Sequence, residues 1–319
     1  MKFYPIQFYP IIKDRIWGGT KLKTVLNKTI TSEIAGESWE ISTVPNDISV
    51  IKNGDFKGKS LNQLIDSYPV EVLGNQVYQR FGKQFPLLFK FIDAKDDLSI
   101  QVHPNDDLAQ KRHNSFGKTE MWYVMQADIE ARLIVGFKDK SSPEEYLKNL
   151  QNKTLETILD SKKVTQGDVF FLATGTVHAI GAGTVIAEIQ QTSDITYRIY
   201  DFDRIDANGN KRELQLDNAM DAINFDVIKS KIDYQQNINQ SNQVVHCNYF
   251  KTNFIPLNTI LSIHNDKDSF LVYMCVDGNF EIGLNNQKYA YKKGDTVLIP
   301  ANLKDFQLIG NASLLEIYI

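Results

Sequence analysis

The sequence predicts a mainly β fold of two jelly-roll barrels with a few added α-helices. Three observations point there. Most of the 319 residues fall into short apolar or alternating runs separated by turn signals. Helix signatures are confined to three stretches. A faint internal repeat also runs through the chain. GDVFFLATGTVHAIG (Gly167–Gly181) resembles GDTVLIPANLKDFQLIG (Gly294–Gly310), and WYVMQAD (Trp122–Asp128) resembles LVYMCVD (Leu271–Asp277). Each copy runs Gly-Asp turn, apolar strand, loop, strand, a unit suited to a barrel. A boundary in the polar stretch Asp233–Gln243 gives a first domain, 1–235, and a second, 236–319.

Along the chain, the N-terminal MKFYPIQFYPIIKDRIWGG lacks the apolar run of a signal peptide. The first helical segment, about 60–82, opens with Ser60 and Gln63 at capping-box spacing. Next, LSIQVHPND (Leu98–Asp106) alternates as a strand, with Leu98, Ile100 and Val102 on one face and Ser99, Gln101 and His103 on the other. Pro104 ends it. The second helical segment, about 142–160, starts with Ser142 as N-cap, Pro143 at N1 and Glu145 at N3. Tyr146, Leu147 and Leu150 give it an apolar face. The third, about 214–224, centres on Leu216–Ile223.

Composition narrows the function. Hydrophobic residues make up 42% and charged residues 23%, the balance of a globular protein. Net charge is −4 and no dense Lys/Arg run occurs, so a nucleic-acid partner is not expected. No segment approaches the ~20 apolar residues of a membrane span. Cys247 and Cys275 lie far apart without CxxC spacing, which suggests reduced thiols in a cytoplasmic protein. Oligomeric state leaves no trace in the sequence.

Three segments carry polar groups suited to chemistry. Gln101 and His103 share a strand face. In GKTEMWYV, Lys118, Glu120 and Trp122 share another. GTVHAIGAGTVIAEIQQTSDITYRIYDF brings His178, Glu188, Gln190, Asp194 and Arg198, and the even spacings of Glu188, Gln190 and Arg198 would put them on one face of a continuous strand. Two His, a carboxylate and an amide suit a divalent metal such as Zn²⁺. Each also has a plain structural reading: hydrogen-bonded histidines, and solvated Glu120, Lys118 and Arg198. Spacing alone leaves both readings open. On the repeat, Glu120 falls opposite Ser269 and His178 opposite Asp305, so the second copy lacks these groups. His264 follows LSI as Gln101 does, and is a decoy.

WGG (Trp17–Gly19), GESWEIS (Gly36–Ser42), FPLLFKFIDAKDDLSIQVHPND (Phe85–Asp106), GKTEMWYV, GTVHAIGAG and AEIQQTSDITYRIYDF (Ala187–Phe202) together resemble type I mannose-6-phosphate isomerases, in their compact bacterial form. The resemblance implies two cupin-like barrels, the second metal-free. It implies one Zn²⁺ per chain on Gln101, His103, Glu120 and His178. It implies a phosphorylated hexose as substrate, converted from aldose to ketose through an enediol(ate). Arg198 and Lys118 match residues assigned to catalysis in the family. Lys118, Asp194, Arg198 and Ser99 are the candidates for substrate binding. Two rivals remain on the same barrel: a non-catalytic sugar-binding module, and an Fe(II) oxygenase using His103, Glu120 and His178. A structural ion pair to Asp201 or Asp203 is the plain alternative for Arg198.

Overall fold

A computed structural model describes residues 2–205 and 209–319. The first part of the chain forms two sheets that face each other. A seven-stranded sheet runs in the order Ile11–Gly19, Ala35–Ile41, Leu87–Ala94, Thr184–Gln191, Glu120–Ala127, Val169–Leu172, Lys231–Ile232. A five-stranded sheet runs Tyr197–Tyr200, Ile100–Val102, His178–Ile180, Arg132–Phe137, Leu159–Lys163. The rest is a six-stranded sheet whose main path runs Asn242–His246, Lys251–His264, Asp305–Tyr318, Leu271–Leu284, Gln287–Lys292, with Thr296–Ile299 paired to Leu271–Leu284. Neighbouring strands pair antiparallel, which jelly rolls require.

The period-2 alternation sorts side chains into layers. In Glu120–Ala127, Met121, Tyr123 and Met125 point to one core, while Trp122 and Val124 point into the first barrel. The neighbouring strand likewise sends Val185, Ala187 and Ile189 outward and Ile186 inward. The outward core is shared with Val272, Met274, Val276, Leu315 and Ile317 of the second sheet, so the barrels stand back to back over one apolar layer. The interior of the second barrel is a separate apolar cluster of Ile255, Leu257, Leu271, Tyr273, Cys275 and Leu314 among others.

Residues Ser60–Gly82 fold as three short helices, Leu61–Ser67, Pro69–Leu73 and Asn75–Phe81. Ser60 and Gln63 complete their capping box. Pro69 opens the second helix, since its missing N–H is harmless there. Gly74, at φ 89°, divides the second from the third. A Cβ there would lie 2.1 Å from the carbonyl oxygen of Asp268, so only glycine fits. Asp268 in turn accepts from the amides of Asn75 and Gln76, tying these helices to the second barrel. Helix Pro143–Gln151 begins at its Ser142 cap, and helix Leu216–Ala222 follows later. Among the described residues no helix is long and apolar enough to cross a membrane.

Four sequence expectations need correction. Leu147 does not join the buried face of its helix and is 42% exposed; Tyr146 alone is buried there. A helix at Asp106–His113 was not expected, because its single buried residue, Ala109, leaves no apolar stripe to read. Glu188 and Gln190 do not share a continuous strand with Arg198. The chain leaves the seven-stranded sheet after Gln191 and enters the five-stranded sheet at Tyr197. Finally, the position matching Glu120 in the second copy is Leu271, not Ser269. Leu172 pairs with Glu120 and Ile299 with Leu271, so the hydrogen-bond register shifts the repeat by two residues.

Candidate metal centre and active site

Antiparallel pairing brings the polar segments together. His178 pairs with Gln101 across the five-stranded sheet, and Arg198 pairs with Gln101 from the other side. Glu120 sits on the facing sheet, paired with Gln190. His103, Glu120 and His178 are buried, and their ligand atoms lie within 4.8 Å of one another. Glu120 Oε2 is 3.6 Å from His103 Nε2, and Oε1 is 3.5 Å from His178 Nε2.

The second ring nitrogens fix the imidazoles. His103 Nδ1 lies 2.8 Å from the Ile195 carbonyl, and His178 Nδ1 lies 2.8 Å from the Thr176 carbonyl. A carbonyl only accepts, so each Nδ1 donates and each neutral Nε2 keeps its lone pair toward Glu120. Burial, and then the charge of Lys118, holds the His103 ring well below its ordinary range and the His178 ring at about 4. Both are therefore neutral ligands at neutral pH. Burial pushes the Glu120 carboxyl up to about 7, against the pull of Lys118. Its buried Oε1 has no hydrogen-bond partner. Two imidazole lone pairs and an unsatisfied carboxylate oxygen meeting at one point are the donor set of a divalent cation. Gln101 Nε2 lies 3.2 Å from His178 Nε2, so its amide borders the same point.

Lys118 Nζ lies 3.0 Å from His103 Nε2 and donates to Glu120. From there a cavity of about 670 Å³ opens outward, large enough for a hexose phosphate. Ser99, Gln101, Lys118, Asp194 and Arg198 line it. Ser99 is buried, Asp194 is exposed at the mouth, and Arg198 is half-buried. Arg198 Nη1 donates to the Glu213 carbonyl at 2.8 Å, and its buried Nε has no partner. The expected alternatives, Asp201 and Asp203, are engaged elsewhere: Asp201 by Arg204 and Arg212, Asp203 by Lys153 and Lys211. Lys13, Arg15 and Arg212 also line the wall, each in an ion pair, with Asp47, Glu37 and Asp201 respectively.

One group escaped the sequence reading. Lys90 is buried in Leu87–Ala94 and pairs with Glu188 at 3.0 Å. Burial alone pushes Glu188 up, but Lys90 and Lys118 beside it bring it well below the carboxylate range. Trp122 Nε1 donates to the other Glu188 oxygen at 2.8 Å, and its ring packs edge-on to His178 at 5.3 Å. The signal was present: a lysine inside LLFKFIDA interrupts an otherwise apolar run and needs a buried partner.

Jelly-roll barrels with this donor set beside a polar cavity, joined to it through Gln101 and Lys118, define a cupin enzyme with one candidate metal site among the described residues. The profile described as "Phosphomannose isomerase type I, catalytic domain" matches residues 6–127, and that of "Mannose-6-phosphate isomerase, cupin domain" matches residues 239–319. The chain is 37% identical to the mannose-6-phosphate isomerase ManA of Bacillus subtilis (strain 168), over 97% of its length and 96% of that protein. It is 35% identical to the mannose-6-phosphate isomerase of Streptococcus mutans, over 98% of its length and 97% of that protein. A crystal structure of mannose 6-phosphate isomerase from Bacillus subtilis superposes with a TM-score of 0.91 at 33% identity, covering 99% of this chain and 100% of that one. The chain belongs to the type I mannose-6-phosphate isomerase family.

Proposed function

We propose that this enzyme interconverts mannose 6-phosphate and fructose 6-phosphate, with one Zn²⁺ per chain held by His103, Glu120 and His178 and with Gln101 as the fourth donor. The observation that carries the proposal is the meeting of two Nε2 lone pairs and an unsatisfied Glu120 oxygen beside a charged cavity, which Gln101 and Lys118 border. Bound there, zinc supplies Lewis acidity for the charge that develops on the sugar oxygens. We read residues 1–235 as the catalytic domain and 236–319 as a metal-free second domain. The support is that the strands from Asn242 onward form their own sheet. The two free cysteines fit a cytoplasmic setting.

The reaction moves a proton between C2 and C1 while the carbonyl moves the other way, through an enediolate. We assign the proton transfer to Lys118, which lines the cavity and touches the donor set: its ammonium gives a proton to the aldehyde oxygen, and the amine so formed takes the proton from C2. Glu188 is a poor rival, because its ion pair with Lys90 and the Trp122 hydrogen bond keep it a weak base. Arg198 is always charged and carries a planar fork of donors, suited to steadying the enediolate. Arg198, whose buried Nε has no partner and whose side chain lines the cavity, is the donor suited to a dianionic phosphate over an unphosphorylated sugar. Ser99 and Asp194 are assigned to sugar hydroxyls.

A coupled assay on mannose 6-phosphate, with and without chelator, tests this. Isomerisation should require no O₂, stop on chelation and return with added Zn²⁺. Full turnover in metal-free protein would overturn the metal assignment. Absence of isomerisation in the zinc-loaded protein would overturn the activity, and a strict O₂ requirement would favour the oxygenase reading.

A further inference from the structure

The stretch that delivers Lys118 and Glu120 is held by Asp106, outside the sheet, and by Gln191 at the end of the neighbouring strand. Gly117 N donates to Asp106 Oδ1 at 2.9 Å. Thr119 N donates to Gln191 Oε1 at 2.9 Å, and Gln191 N returns a bond to the Thr119 carbonyl at 3.1 Å. Gln191 Nε2 donates to the same Asp106 Oδ1 at 3.0 Å. The approach is tight: a Cβ on Gly117 would lie 2.8 Å from the Asp106 nitrogen, which accounts for the glycine of GKTE. Asp106 is thus the hub beneath Gly117–Thr119.

The remaining Asp106 oxygen is taken by the second barrel. Tyr249 OH donates to Asp106 Oδ2 at 2.7 Å. Tyr249 lies on the turn between Asn242–His246 and Lys251–His264, closed by Cys247 N donating to the Phe250 carbonyl. Burial and the Asp106 contact push its phenol up to about 12, so it remains a donor at any working pH.

We infer that Tyr249 is a positioning residue, through which the second barrel holds the Lys118–Glu120 segment in register by way of Asp106 and Gln191. The inference rests on the metal-dependent isomerase reading. It gives the metal-free barrel a task in the reaction. A shift of the Gly117–Thr119 backbone moves one metal ligand and the assigned proton carrier together, and active sites lose rate steeply with small displacements.

Tyr249→Phe removes the donor and keeps the ring. Zinc affinity, read by chelator competition, should fall roughly tenfold, the lower end of what supporting partners of metal ligands cost. Turnover should fall through kcat with KM little changed. Asp106→Ala should lose roughly 100-fold in zinc affinity. Asp106→Asn keeps an acceptor at Oδ1, and its Nδ2 can donate to the Tyr249 oxygen in place of the bond that Tyr249 now gives, so it should stay near wild type. Tyr273→Phe removes a like hydroxyl–carboxylate bond inside the second barrel, to Glu316 at 2.9 Å, and is the control. It should lower the melting temperature and leave affinity and kcat alone. The inference is overturned if Tyr249→Phe behaves like Tyr273→Phe, losing stability only. A wild type that binds zinc but does not isomerise mannose 6-phosphate would sink the isomerase reading, while the affinity comparison would still decide the role of Tyr249.

Discussion

In the first barrel Leu172 pairs with Glu120, and Gly167 N donates to the Val124 carbonyl; in the second Ile299 pairs with Leu271, and Gly294 N donates to the Cys275 carbonyl. The same frame recurs along the neighbouring strands. Glu188 stands between Lys90 and Trp122, and Glu316 stands between Asn253 and Tyr273. His178 pairs with Gln101, and Asp305 with His264. One backbone plan therefore carries two fillings. The first keeps a buried cation, Lys90, against its glutamate. The second neutralises nothing: Glu316 accepts from Tyr273, Asn253 and Ser241 instead. At the metal level, apolar Leu271 replaces Glu120, and the His264–Asp305 pair is exposed. Keeping a hydrogen-bond ladder does not keep a site, because the ladder is blind to side-chain identity.

The sharpest way to break this comparison is at the histidines of the two barrels. His103→Ala or His178→Ala should abolish zinc binding and turnover together. His264→Ala, in the place corresponding to Gln101, should abolish neither; loss of zinc in that variant would mean that the second barrel binds metal after all. Arg198→Ala should come next. It should keep fold and zinc but lose roughly 10²–10³-fold in kcat, the scale of one oxyanion-type donor. Arg198→Lys should recover little, since the fork is lost. A raised KM with kcat intact would instead assign Arg198 to uniform phosphate binding.

The paired glutamates give a smaller contrast. Glu188→Gln takes the contacting carboxylate from buried Lys90 and leaves it the attraction of Glu37, so at most roughly 3–5 kcal/mol of stability should go along with activity. Glu316→Gln should cost roughly 1–3 kcal/mol, with kcat unchanged, because only neutral donors face it. Urea unfolding of the two variants beside wild type, with assays on each, would show the split. Equal losses would erase the distinction drawn here.

The smallest effect is in acid titration of the chelated protein. Between the ordinary carboxyl value of 4.5 and the ordinary imidazole value of 6.5, the unfolded chain protonates His103 and His178 and not Glu120. The folded chain keeps a proton on Glu120 and none on the two rings. The unfolded state thus binds one more proton, and stability should rise with pH across that window, by ~1.4 kcal/mol per unit at most. It is lost again as pH falls from 6.5 toward 4.5. Replacing both histidines by glutamine should reverse the slope, leaving the raised Glu120 alone. An unchanged slope would show that other groups set it.

Much of this was legible before any coordinates. Alternating runs and Gly-Asp turns give barrels, and the ligand residues stand in motifs dense with polar groups. What was hidden follows physical lines. Helix Asp106–His113 announces itself only by its Asn105 cap, acidic first turn and basic last turn, signals weaker than an apolar stripe. The crossing between sheets after Gln191 is written in Thr192-Ser193-Asp194, three polar residues easily read as more strand. Tyr249 and Asp106 are 143 positions apart, and no local pattern links them.

Near the start of the chain, Ile6 N donates to the Leu298 carbonyl at 2.8 Å, and Leu298 N donates back to Ile6 at 2.9 Å. That bridge cannot form until nearly 300 residues have left the ribosome. Ile6 and Leu298 both lie in the apolar layer shared by the barrels. Loop closure over such a span adds only slowly to the equilibrium cost, but contacts so distant in sequence form late. Within this N-terminal arm only Ile6 waits on that bridge: Phe3 and Tyr4 pack on Phe56, and Phe8 bridges to Ile51, partners made early. Synthesis leaves Ile6 and the shared layer around it to be covered late, and pulse proteolysis during refolding should find that layer closing after the first barrel's sheets.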